Sequence, residues 1–187
     1  MYVYIDSNVI VSAEIESESN YDQSKAFMKV AQAVHSSYSD VEFFTSIFTF
    51  LELASAMIRR TSSEERVYSL LYRIRTSWKS WIKPVAPLAP KDLTSFQRLV
   101  DSFIETAVKF GTPTADTIHA QTVRMYNFDF LVTWNKKDFK GMLKEMKKLE
   151  ILTPYEMQKR LRYLSRGRSE KSFPPGVAFM LTRERWH

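Results

Sequence analysis

The sequence predicts an α/β protein, three-layered α/β/α around a central, mainly parallel sheet of four to five strands. Three observations lead there. Short runs of β-branched and aromatic residues recur at 2–6, 41–45, 81–85, 128–133 and 149–152. The stretches between them place apolar residues at helical spacing. Strands alternating with helices in this way build a parallel sheet covered on both faces. A chain of 187 residues suits one well-buried domain and is short for two. No internal repeat or low-complexity linker divides it.

Each element has a local reason. Tyr2-Val3-Tyr4-Ile5 runs straight into Asp6, and small polar residues follow, so a strand ends at a carboxylate and residues 7–15 form a short helix or turn. Asn20 can cap a helix carrying Ala26, Phe27, Val30, Ala31 and Val34. After the strand at 41–45, Ser46 or Thr49 can start a helix through Leu51, Leu53 and Met57 to Arg59-Arg60. Ser62-Ser63-Glu64-Glu65 opens the helix at 63–80, with hydroxyl caps and acids in the first turn. The strand at 81–85 is limited by Pro84 and followed by Pro87 and Pro90. Residues 91–110 are a long amphipathic helix that Gly111 stops. Thr112 and Pro113 open another, to about Tyr126. After the strand at 128–133, residues 135–138 are a loop and 139–147 a short basic helix. Pro154 follows the last strand and opens a helix to about Leu164. The tail at 165–187 is rich in arginine, and its 177–181 run could dock as a strand or helix.

Composition narrows the chemistry. Without cysteine there is no disulfide, thiolate metal site or thiol nucleophile. The first residues lack both the basic segment and the apolar length of a signal peptide. No run approaches the ~18 apolar residues of a membrane span. A cytoplasmic, non-membrane protein is the expectation. The formal net charge of +6 favours an anionic partner such as nucleic acid, or serves solubility.

Four signals carry the functional argument. Asp6 ends a strand where open parallel sheets bind ligands, or it caps the helix that follows. Glu52 is a charged residue in the apolar turn Phe50-Leu51-Glu52-Leu53-Ala54. A buried carboxylate there needs a metal or a partner such as Arg59 or Arg60. Asp116 sits in a helix first turn, where acids are electrostatically favoured, ahead of a small, apolar helix that includes His119. That histidine reads as packed or hydrogen-bonded rather than catalytic. Thr133 and Asn135 sit at a strand's carboxyl end, where an ordinary hydrogen-bonded turn would also use them. Asp138 follows one turn later, as a helix cap or a metal ligand. Each signal alone is weak, but in this order all can meet at one end of one sheet.

In that order and spacing the residues resemble the PIN-domain ribonucleases, specifically their VapC-like toxin branch. The matching pieces are Ile5-Asp6-Ser7-Asn8-Val9, Leu51-Glu52-Leu53-Ala54, Asp116-Thr117-Ile118-His119-Ala120 and Val132-Thr133-Trp134-Asn135-Lys136-Lys137-Asp138-Phe139. The resemblance covers about residues 2–155. It implies a PIN-like nuclease domain at 1–155, with a C-terminal helix and basic tail extension at 156–187. It implies an acidic pocket binding Mg²⁺ or Mn²⁺ and metal-dependent cleavage of RNA, with Asp6, Glu52 and Asp116 as the core acids. Asn135 stands where many members have a fourth aspartate, a departure that removes one negative charge. Asp138 is the residue that could compensate as a ligand. An antitoxin protein and a homodimer are the partners the family implies.

Oxygen-rich sites without His or Cys suit such hard cations. A carboxylate-bound metal neutralises charge on a phosphodiester and activates a water. Asp6 and Asp116 are then assigned as direct ligands, Glu52 as a ligand or the holder of a bound water, and Asn135 as a contact to water or phosphate. Arg59, Arg60, Lys136 and Lys137, with Thr133, are the expected RNA contacts, and Trp134 stacks on a base or packs in the core. The competing reading is a PIN-like RNA-binding or RNA-processing scaffold with weak or no nuclease activity. A phosphatase or kinase fits less well: Asp6-Ser7-Asn8 lacks a second aspartate, and four glycines supply no phosphate loop.

Overall fold

The computed structural model describes residues 1–60, 63–86 and 92–168. Ser62, Pro87, Pro90, Lys91, the 177–181 run, His187 and most of the arginine-rich tail lie outside the described residues.

Five strands form one sheet: β1 (Tyr2–Ile5), β2 (Glu42–Ser46), β3 (Ile82–Val85), β4 (Phe130–Val132) and β5 (Glu150–Leu152). Their order is β3-β2-β1-β4-β5, and every neighbouring pair is parallel. The chain therefore winds from β1 out to β3, then returns to the other side of β1 for β4 and β5. The β1/β4 boundary is where the connections diverge. In open parallel sheets a crevice forms at that point, outside the carboxyl ends of the strands. Asp6 follows β1 there and Thr133 follows β4.

Strand alternation sends side chains to two cores. Val3, Ile5, Phe43, Phe130 and Val132 pack on one face with α1 (Ser7–Glu14), α2 (Tyr21–Ser37), α3 (Thr49–Ile58) and α4 (Glu64–Trp78). Met157 and Leu161 of α8 (Pro154–Arg168), both fully buried, belong to the same core. Tyr4 and Leu131 point the other way, into a smaller core with α6 (Thr114–Met125) and α7 (Lys136–Met142). Helix α5 (Leu93–Phe110) joins this side through Phe110. No helix among the described residues is long and apolar enough to cross a membrane.

The boundaries follow local chemistry. Ser63 caps α4 by accepting the amide of Arg66, and Asp92 caps α5 by accepting that of Ser95 at 2.7 Å. Gly111 ends α5 in the left-handed region at φ 61°, where a side chain would be strained. The basic helix differs from expectation: α7 begins at Lys136, not at 139, and ends at Met142. The Asn135 carbonyl accepts the amides of Asp138 (3.2 Å) and Phe139 (3.3 Å), so the first turn closes directly after the strand. Phe139, Met142 and Leu143 then bury themselves at helical spacing. Turn bonds from Met146 to the Leu143 carbonyl and from Leu149 to the Met146 carbonyl steer the chain into β5. Asp138 accordingly lies in a helix first turn, not in a loop.

Candidate functional site

The end of β1 is tied to β4 by the Asp6 amide, which donates to the Val132 carbonyl at 3.0 Å. Asp6 is completely buried. It holds the N-cap position of α1 but makes no side-chain capping bond, so capping does not explain it. Its Oδ2 instead accepts the Thr133 hydroxyl at 2.7 Å. Thr133 Oγ1 in turn accepts the Asn8 side-chain amide at 3.2 Å and the Asn135 backbone amide at 2.9 Å. One hydroxyl thus fixes the strand carboxylate, the first turn of α1 and the turn into α7.

Glu52 arrives from α3. That helix starts against the sheet because Thr45 donates to the Ile5 carbonyl at 2.8 Å and shares a 2.8 Å bond with Thr49. Glu52 does not pair with Arg59 or Arg60. Its Oε2 lies 2.8 Å from His119 Nε2, and the same nitrogen lies 3.7 Å from Asp6 Oδ1. On the far side of the ring, His119 Nδ1 is 2.6 Å from the buried Tyr4 hydroxyl. His119 is fully buried on α6, three residues after Asp116 and so on the same helix face. Its packed and hydrogen-bonded character matches the expectation; its place between two acids was missed. The i, i+3 spacing from Asp116 was the available signal.

Asp116 is 7% exposed in the first turn of α6. Asn135 donates its side-chain amide to Asp116 Oδ2 at 3.2 Å. Burial and then the Asp6 charge push the Asp116 carboxyl up to about 6, with Asp138 adding to the rise. Burial likewise raises Asp6, against the opposing pull of His119 and Thr133. Glu52 goes the other way: burial disfavours its charge, but the hydrogen bond and charge of His119 hold it below its ordinary value. Burial disfavours the charged imidazole too, yet Asp6, Glu52 and Asp116 together raise His119 above its ordinary value. The pocket therefore concentrates negative charge that a single imidazole partly offsets.

The structure thus gathers Asp6, Glu52, Asp116, Thr133 and Asn135 at one sheet edge. Asp138 reaches Asp116 through its charge alone. Two of the four expected RNA-contacting cations are engaged elsewhere. Arg60 pairs with Glu18 and donates to the Ala56 carbonyl at 2.7 Å. Lys136 pairs with Glu156 at 2.6 Å. Arg59 is exposed two turns along α3 from Glu52, about 10 Å by helical rise. Lys137 is exposed on α7. Trp134 packs against the larger core and donates its indole N–H to Ser24 at 3.0 Å.

Among the described residues, no three carboxylate or imidazole groups stand close enough to hold a metal ion as placed. The donor chemistry still suits a hard divalent cation. Asp6 and Asp116 are buried carboxylates that neither Lys nor Arg approaches within ion-pair distance among the described residues. Buried charge offset only by one imidazole and by neutral dipoles is costly unless neutralised further. Asp6, Glu52 and Asp116 are the groups that could hold such a cation, with Asn135 as a neutral oxygen donor.

No family model and no curated protein matches the chain. Six chains of solved structures match it, among them these two. One is a chain of VapBC2 from Rickettsia felis, in a complex bound to a DNA fragment from their promoter; the other is a chain of FitAcB from Neisseria gonorrhoeae. Each is 16% identical with a TM-score of 0.51, and the match covers 82% of this chain and 98% of that chain. At this identity the likeness is one of fold, and it agrees with the PIN-like α/β/α arrangement.

Proposed function

We propose that this chain is a divalent-cation-dependent endoribonuclease of the PIN type, the toxin of a toxin–antitoxin pair. One observation carries most of the weight: three acids from three separate elements converge on the switch point of the sheet, and the two buried ones, Asp6 and Asp116, lack a Lys or Arg partner among the described residues. The fold likeness to chains of VapBC2 and FitAcB, both named as assemblies, supports an antitoxin partner in the same reading, and a second copy of the chain is the other expected partner. When bound, Mg²⁺ or Mn²⁺ would neutralise charge on the phosphodiester and activate a water. The chain's own residues do the positioning. Thr133 fixes Asp6, His119 fixes Glu52 against Tyr4, and Asn135 holds Asp116 while leaving the pocket one carboxylate short. The burial of Asp6 and Asp116 strengthens every electrostatic interaction within the pocket.

One feature favours a second reading, an RNA-binding scaffold with little activity: the neutral Asn135 in a place where a fourth acid would draw metal. RNA cleavage with Mn²⁺ or Mg²⁺, against EDTA, separates the two. The parent is expected to cleave, and Asp6→Asn and Asp116→Asn to lose about 100-fold or more, the scale of removing one catalytic group. Variants that cleave as well as the parent would show the nuclease site to be misassigned. RNA binding without cleavage in any metal would favour the scaffold.

A further inference from the structure

We infer that the exposed lysines on and beyond α7 form a track for the RNA backbone leading away from the acidic pocket. This rests on the ribonuclease reading and names the surface that would hold its substrate.

Residues 136–148 carry six lysines against Asp138 and Glu145, a formal +4 within a chain whose total is +6. Lys136 is taken by Glu156, and Glu145 is taken by Arg124 at 2.7 Å. Lys137, Lys140, Lys144, Lys147 and Lys148 are all exposed, and among the described residues none of them makes an ion pair. Burial decides the face. Phe139 and Met142 point into the core, which leaves Lys137 and Lys140 together on the outer side of α7 at i and i+3, with Lys144 exposed in the turn that follows. Gly141 lies exposed among them, so no side chain rises between Lys140 and Lys144.

Direction matters as much as charge. α7 starts at the carboxyl end of β4, beside Asn135, and the turns after it lead to the amino end of β5. Lys137 therefore stands nearest the pocket and Lys147-Lys148 farthest from it. Lys137 and Lys140 stand about one helical turn apart, roughly 5 Å along the axis of α7, between one and two nucleotides of a stacked strand at ~3.4 Å each. Like charges at this density repel one another unless a polyanion neutralises them. No aromatic side chain is exposed within 136–148, since Phe139 is fully buried. The track thus offers point charges to phosphates and nothing to bases, so its contribution is indifferent to sequence and sensitive to salt.

The test is binding of labelled single-stranded RNA of mixed sequence to the full chain in EDTA, read by fluorescence anisotropy between about 50 and 200 mM salt. Lys137→Ala/Lys140→Ala/Lys144→Ala is expected to flatten the plot of log affinity against log salt by about 2, at ~0.7 per lost phosphate contact. Lys29→Ala/Arg66→Ala/Lys79→Ala removes the same charge from exposed positions on α2 and α4 and just after α4, and is expected to leave the slope near the parent's. An unchanged slope in the α7 variant overturns the track. So does an equal loss in both variants, which would mean that net charge alone acts. Vesicles of anionic lipid that bind through these lysines while RNA does not would also overturn it. Failure of cleavage in every metal, with the slope loss present, would instead remove the nuclease reading and leave the track standing.

Discussion

Asp116→Asn should stabilise the metal-free protein, and more so as pH rises. The folded carboxyl sits at about 6 against an ordinary 3.8, so the fold prefers its protonated form. The stability this group contributes is fully present below about 3.8 and is lost as pH rises through about 6. A gap of about two units at ~1.4 kcal/mol each corresponds to roughly 3 kcal/mol. Solvent reaching Asp116, which is 7% exposed, screens part of it, leaving about 1–2 kcal/mol. Asparagine keeps the shape, and its amide oxygen can still accept the Asn135 side chain. Thermal melts by circular dichroism in EDTA should show little difference near pH 4. Near pH 8 they should show a rise of about 2–8 °C for the variant, at ~2–4 °C per kcal/mol in a chain of this size. Mn²⁺ at roughly 100 times its dissociation constant should stabilise the parent by ~2.7 kcal/mol and reverse the order. A variant less stable than the parent near pH 8 in EDTA would refute the premise that Asp116 is electrostatically strained.

His119→Gln should destabilise the protein by about 1.5–3 kcal/mol, the range for hydrogen bonds to charged groups. Because the folded imidazole titrates above its ordinary 6.5, its contribution is fully present below that value and is lost as pH rises through the raised one. Urea melts should therefore show a larger deficit near pH 6 than near pH 9, and equal deficits would mean that the ring is neutral in the fold. Asn135→Asp adds a carboxylate beside one already raised to about 6, so it should lower metal-free stability and tighten Mn²⁺ binding by calorimetry; looser Mn²⁺ binding would argue that residue 135 faces away from the cation. Phe139→Ala empties a fully buried position and should cost about 3–5 kcal/mol, a drop of roughly 6–20 °C in melting temperature, and a loss under ~1 kcal/mol would contradict the packing of α7.

The fold was legible because its signals are local. Tyr2-Val3-Tyr4-Ile5 and Phe130-Leu131-Val132 announce buried strands by composition, and Gly111 and Ser63 mark helix ends through their own chemistry. The convergence of Asp6, Glu52 and Asp116 was legible for a related reason: each sits at the end of an element, and parallel topology brings such ends together. Partners were not legible. Arg60 is taken by Glu18, 42 residues away, and His119 by Tyr4 and Glu52, 115 and 67 residues away. No period or motif encodes such pairings, because they depend on where packing finally places each side chain. The start of α7 was misplaced because Asn135-Lys136-Lys137-Asp138 reads as polar loop by composition. Its helical turn is set by the Asn135 carbonyl and by the burial of Phe139 and Met142.

The acids of the pocket are balanced by different means on its two sides. Toward α3 and α6, an imidazole that can carry charge stands between Glu52 and Asp6, braced by Tyr4. Toward β4 and α7, neutral dipoles do the work: the Thr133 hydroxyl on Asp6 and the Asn135 amide on Asp116. The imidazole holds Glu52 below its ordinary value, whereas burial and the Asp6 charge raise Asp116 by more than the Asn135 amide and His119 offset. The least compensated charge therefore lies at Asp116, on the side where α7 and its lysines begin. In the proposed function a cation would meet fewer carboxylates on that side than a four-acid pocket offers. Mg²⁺ usually completes its shell with waters and substrate phosphates. In that reading a missing carboxylate at 135 would shift part of the cation's binding energy from the protein to the RNA, and the lysines beside it are where that RNA would be held.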